Sequence, residues 1–164
     1  MSQILIDAQG NFLDMMAVGW ASGDDTKIKQ STELADHYDY LCFKGRWKLL
    51  DRFCVAKGSA RSAGQTYLWY NDEIIWTMHY QGSYALGVLP FLQHCLFAAY
   101  STGQFFGGRG LAFHEDPAKL YMYSNVLIPG KASFADFAGK DQIARLSDRA
   151  LMGWHNYWGQ AYVQ

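Results

Sequence analysis

The sequence predicts a single α+β domain: a curved, mainly antiparallel sheet of about six strands, built from repeated hairpins, packed on a central helix and carrying an N-terminal helix on its outside. Three observations predict it. An alternating run folds back on itself at Asn71-Asp72, a stretch around Phe91–Ala99 is apolar over helical length, and a second hairpin pattern near the C-terminus repeats the first.

Phe12, Met16 and Trp20 recur at i, i+4 and i+8, which predicts a helix capped by Asn11 and ended by Gly19 or Gly23. Ser22 to Glu33 is polar and reads as a long connection. Residues 1–35 are thus an N-terminal helix with its connection, and 36–164 the α+β core of the same domain. His37 to Phe43 alternates, and Trp47 to Val55 continues after a Lys44-Gly45 turn, giving a first hairpin.

The clearest hairpin joins Gln65–Tyr70 to Glu73–Tyr80, because Asn71-Asp72 suits a two-residue turn with positive φ. Trp69 should then pair with Ile74 and Tyr67 with Trp76. That register puts Tyr67, Trp69, Ile74, Trp76, Met78 and Tyr80 toward the core, and Thr66, Leu68, Ile75, Thr77 and His79 on the other face. Ser83 to Thr102 reads as the central helix, with Pro90 tolerated in its first turn. The glycines of Gly103–Gly110 break it, Lys119 to Ile128 returns to strand before a Pro129-Gly130 turn, and a last hairpin runs from Asp141 to Leu146 and from Arg149 to Val163. Gly64 to Gly82 can be laid beside Gly139 to Gly159, both running from a glycine through a hairpin to Tyr-x-Gly, which suggests a structural repeat.

Of the 164 residues 50% are apolar and 18% charged, enough for a sizeable core and against a disordered tail. Lys plus Arg number 14 against 15 Asp plus Glu, so no general charge draws the chain to nucleic acid or an anionic membrane. The start, Met1 to Asp7, lacks the features of a signal peptide, and the longest apolar run, Tyr84 to Tyr100, is interrupted by Gly87, Pro90, Gln93 and His94. A cytoplasmic protein with no membrane contact is expected. Cys42, Cys54 and Cys95 are an odd set with no close pair and read as small core residues rather than a disulfide framework.

Gly107-Gly108-Arg109-Gly110 lacks the Gly-Lys-Ser/Thr ending of a phosphate loop and reads first as a turn leaving the helix, with Arg109 as the anion-contacting candidate. His37, His79, His94, His114 and His155 show no chelating spacing, so no metal and no cofactor is expected. His79 and His155 lie beside matching tyrosines at the ends of the two hairpins and could meet Asp141 in an acid–base site, or simply sit at strand edges. Trp69, Trp76, Tyr80, Trp154, Tyr157 and Trp158 could line a ligand pocket together with Arg109, form a protein contact, or be core. Trp154 and Trp158 alternate with His155 and Tyr157, so both faces of the last strand carry large rings and need a cover.

Trp76-Thr-Met-His-Tyr-Gln-Gly82 is similar to the Val-Trp-x-Met-Asn-Tyr-x-Gly motif of a bacterial domain of unknown function that occurs alone or C-terminal to XRE-type helix-turn-helix domains. Phe91-Leu92, Arg109-Gly110, Phe137–Ile143 and Tyr157-Trp158-Gly159 resemble its later elements, so the likeness spans about Tyr38 to Val163. Thr66, His79, Leu111 and Trp158 depart from it, standing where the family has an acidic residue, asparagine, proline and histidine. The resemblance implies no activity; the family's fusion to DNA-binding modules implies that some members sense something. No helix-turn-helix fits before Tyr38, so direct nucleic-acid binding is not expected. The expected function is a non-enzymatic, sensor-like domain that binds a small molecule or a partner protein, with a homodimer left open. The alternatives are a small hydrolase-like enzyme using His79, Asp141 and His155, and an interaction protein such as an immunity or anti-defence factor.

Overall fold

In a computed structural model, which describes residues 2–57 and 59–163, the chain runs through α1 (Gln3–Ala17), β1 (Lys29–Gln30), β2 (His37–Lys44), β3 (Trp47–Val55), β4 (Arg61–Tyr70) and β5 (Glu73–Tyr84). It continues through α2 (Leu89–Tyr100), β6 (Phe113–Glu115), β7 (Tyr121–Ser133), β8 (Asp136–Arg145) and β9 (Leu151–Ala161). The fold is α+β, with one open antiparallel sheet in the order β1-β2-β3-β4-β5-β9-β8-β7-β6. The sheet has nine strands rather than about six. Its two edge strands, of two and three residues, are too short to carry an alternating signature.

Both helices pack on the same side of the sheet. The N-terminal helix is not on the outside: Phe12 is fully buried, its ring 4.6 Å from Trp76 and 6.0 Å from Phe134 between centroids. It also starts well before Asn11, because Leu5 and Ala8 extend the apolar stripe, and the Asn11 amide donates back to the Asp7 carbonyl at 2.8 Å inside the helix. The central helix is shorter than Ser83–Thr102, since β5 continues to Tyr84 and pairs with β9 there. Pro129-Gly130 is not the turn into β8: it sits in an irregular stretch of β7, and the chain reverses at Phe134-Ala135.

The β4–β5 hairpin turns at Asn71-Asp72 with positive φ at both residues, and Trp69 does pair with Ile74. A bulge then puts Leu68, not Tyr67, opposite Trp76. The extra residue reverses the facing of one strand relative to the other. Thr66 and Leu68 therefore join Trp76, Met78 and Tyr80 on the buried helix-covered face, while Ile74 is 40% exposed.

The two hairpins meet at the centre of the sheet. β5 and β9 pair antiparallel with Tyr80 opposite Tyr157, so β4–β5 and β8–β9 are related by a local two-fold axis through that pair. The relation extends to side chains. Tyr80 crosses Gly64 and donates to Asp51 Oδ1 on β3 at 2.9 Å; Tyr157 crosses Gly139 and donates to Asn125 Oδ1 on β7. Among the described residues no helix is long and apolar enough to cross a membrane.

Candidate functional site

Asp141 is fully buried and lies on β8 where Thr66 lies on β4. Its carboxylate accepts from Arg109 Nε at 2.7 Å, from the Tyr84 hydroxyl at 2.7 Å, from the Tyr123 hydroxyl at 3.0 Å and from the His155 backbone N–H at 3.0 Å. Burial alone would raise its pKa; the Arg109 guanidinium and the Tyr84 hydroxyl outweigh that and hold the carboxyl below its ordinary range.

Arg109 reaches Asp141 because Gly107 and Gly108, both with φ near +70°, fold the loop after α2 so that its side chain points inward. The loop is pinned from several sides. Tyr100 donates to the Gly108 carbonyl at 2.9 Å, the Asn125 amide to the Phe106 and Gly110 carbonyls at 2.9 and 2.8 Å, and Gly110 N–H to the Tyr123 hydroxyl at 2.9 Å. The glycine-rich segment is thus a fixed turn whose one functional side chain is the guanidinium.

His155 sits opposite Gly82, whose missing side chain leaves room for the imidazole between β5 and β9. Arg109 Nη2 lies 3.0 Å from His155 Nδ1, and Ser62 Oγ lies 3.0 Å from Nε2. A guanidinium can only donate, so Nδ1 is the acceptor and the ring carries its proton on Nε2, donating to Ser62. Burial and the facing guanidinium push the imidazole pKa down to about 3, so the ring is neutral at ordinary pH.

Asp51, on β3, is the second buried carboxylate. Its Oδ1 accepts from the Thr66 hydroxyl at 2.8 Å and the Tyr80 hydroxyl at 2.9 Å, and burial raises its pKa. The Arg109 guanidinium carbon lies 5.6 Å from the centre of the same Tyr80 ring. Tyr80 therefore connects the two polar clusters.

Part of this network forms the floor of a cavity of about 160 Å³ between the sheet and the helices. Met16, Trp20, Phe53, Leu89, Leu92 and Leu96 supply its apolar wall, and Asp51, Ser62, Tyr80, Tyr84, Arg109 and His155 its polar side. Two polar atoms of the floor have no hydrogen-bond partner among the described residues: Arg109 Nη1 and Asp51 Oδ2. Neither is among the described atoms that are sealed from solvent without a partner, and both residues line the cavity.

Of the residues singled out in the sequence, the structure brings Tyr80, Arg109, Asp141 and His155 together. It puts His79 on the opposite face, stacked 5.4 Å from Trp158, and places Trp69 and Trp154 there beneath Lys48 and Lys140. Trp76 is fully buried and stacks on Phe134 at 4.9 Å, its indole N–H donating to the Phe134 carbonyl, and Tyr157 is buried on the helix side. Asp51, Ser62 and Tyr84 were missed. Their only sequence signal is polarity at positions that the β4 register turns toward the helices. Among the described residues no cluster of three or more His, Cys, Asp or Glu could hold a metal ion.

Fold and site together define an open-sheet α+β domain with a helix-covered, polar-floored cavity. No protein-family model, curated protein or solved structure matches this chain.

Proposed function

We propose that this protein is a non-enzymatic, sensor-like domain that binds a small molecule in the cavity between α2 and the sheet. The observation that carries the reading is a polar floor beneath an apolar wall, in which Arg109 Nη1 and Asp51 Oδ2 have no hydrogen-bond partner among the described residues. Pre-formed, mostly apolar cavities with a few convergent polar groups are the usual form of a ligand site. The resemblance to a domain fused to DNA-binding modules agrees with a sensing role.

The acid–base reading has less support because of how His155 is bonded. An imidazole that activates a hydroxyl must offer an unprotonated nitrogen to it, oriented by a carboxylate on the other nitrogen. Here the nitrogen facing Ser62 carries the proton, and Asp141 meets His155 through the backbone N–H instead of the ring. His79 lies on the other face of the sheet and cannot join them.

Native mass spectrometry on freshly purified protein tests the reading. A mass above that of the chain or its multiples, lost on denaturation, is expected. A bare chain that no small apolar compound stabilises against thermal unfolding would refute it, and a clean ligand-free dimer would move the function to the outer face, where Trp158 is 45% exposed.

A further inference from the structure

We infer that the cavity selects an uncharged ligand, one with an acceptor for Arg109 Nη1, a donor for Asp51 Oδ2 and an otherwise apolar body; this rests on the binding reading above. The charge arrangement of the floor carries the inference. Arg109 and Asp141 already form a buried pair, 6% and 0% exposed, in which Nε of the guanidinium is committed to Asp141. The remaining carboxylate, Asp51, is 5% exposed and lines the same cavity.

An anionic ligand would bring a third carboxylate around a single buried guanidinium. A cationic ligand would meet the Arg109 guanidinium at the same floor, and would have to give up its hydration to pair with an Asp51 carboxylate that already interacts with that guanidinium and accepts from Thr66 and Tyr80. Desolvation penalises every added unpaired charge at such a site. A neutral group with both hydrogen-bonding functions, such as a carboxamide, meets neither objection. Its carbonyl takes the free guanidinium hydrogen and its N–H faces Asp51 Oδ2. Leaving those groups unsatisfied is costly in a buried site, so a ligand of the same shape without polar atoms should bind less well.

Size points the same way. A dry cavity of ~150 Å³ holds a benzene-sized molecule, and the cavity here is of about 160 Å³. Benzamide, benzoate, benzylamine and toluene are therefore suitable probes: benzamide and benzoate are matched in shape, and all four share the phenyl body and differ in the charge, hydrogen bonding and size of one end.

Titrating the wild-type protein with each of the four at neutral pH, followed by NMR shifts of residues lining the cavity, gives four Kd values. Benzamide should bind at least tenfold tighter than benzoate or benzylammonium, and measurably tighter than toluene. In Asp51→Asn, which keeps an acceptor for Thr66 and Tyr80 and replaces Oδ2 by a donor, the ratio should move at least tenfold toward benzoate; a cooperative thermal transition checks that the variant is folded. Should it fail to fold, the wild-type series decides alone. Tightest binding by benzoate or benzylammonium overturns the inference, as does toluene equal to benzamide, and in either case the cavity still binds. If none of the four shifts a cavity residue at millimolar concentration, the binding reading itself falls.

Discussion

His155 is a neutral imidazole by construction, and that makes it a source of acid lability. Its pKa in the folded chain is about 3, against an ordinary value near 6.5. Between those two values the unfolded chain binds a proton that the folded chain refuses, so stability falls as pH drops from about 6.5 toward 3. Asp141, with its pKa lowered, adds a loss of the same sign as pH falls through its folded value, whereas Asp51, raised by burial, acts oppositely and loses stability as pH rises through its own. Comparing wild type with His155→Gln isolates the histidine. A glutamine can accept from Arg109 and donate to Ser62 as the neutral ring does, but it does not titrate. Urea denaturation should show wild type losing about 2 kcal/mol more than the variant between pH 7 and pH 5. Parallel pH curves would mean that the ring is protonated or water-exposed in the folded protein. Part of this site was legible in the sequence: Arg109 from its glycine-rich setting, and Asp141 with His155 from their places in the second hairpin. Asp51 and Ser62 were not, because an isolated polar residue on a strand declares its face only once the register is known.

The hairpins show the same limit at the scale of elements. Turn chemistry placed Asn71-Asp72 correctly, yet the inserted residue at the bulge put Tyr67 opposite Thr77 instead of Trp76, and nothing in local propensity signals a bulge. The repeat was visible as glycine and tyrosine spacing, and its physical basis is the crossing of each ring over a bare backbone. A Cβ on Gly64 would stand 2.4 Å from Tyr80 Cζ and 2.8 Å from the Arg52 carbonyl oxygen; on Gly139 it would stand 2.3 Å from the Tyr157 hydroxyl and 2.7 Å from the Val126 carbonyl oxygen. Gly64→Ala and Gly139→Ala should therefore each destabilise by about 1–3 kcal/mol in chemical denaturation, since backbone on one side and a tethered ring on the other leave no room to relax. Gly10, on an exposed face inside α1, has nothing within 4 Å of its Cβ position. There the same substitution should stabilise by about 0.5–1 kcal/mol, through helix propensity. Equal effects at all three glycines would remove the close crossing as the reason for the repeat.

Over the whole molecule, the expected α+β class followed from local patterns, but the strand order did not, because the pairing of β5 with β9 joins segments far apart in sequence. That seam decides how the chain should unfold. β2 to β5 and β6 to β9 are each antiparallel meanders, and a two-fold arrangement invites two independent units. The packing argues otherwise. Phe134, from the β7–β8 turn of the second half, stacks on Trp76 and contacts Phe12, both from the first half, while the buried Asp141 of the second half is bonded by Tyr84 of the first. Neither half closes its own core, so they should unfold together. Phe134→Ala is the informative variant, because it deletes a fully buried ring at the junction and should cost about 3–5 kcal/mol. Native-state hydrogen exchange then reads cooperativity directly. Backbone amides of Leu49 on β3 and Ile143 on β8 should exchange with the same opening free energy in wild type, and both should fall by the full destabilisation in Phe134→Ala. Loss of protection confined to β8 would instead show that the two meanders are separate cooperative units, with the seam between them as the weak point of the fold.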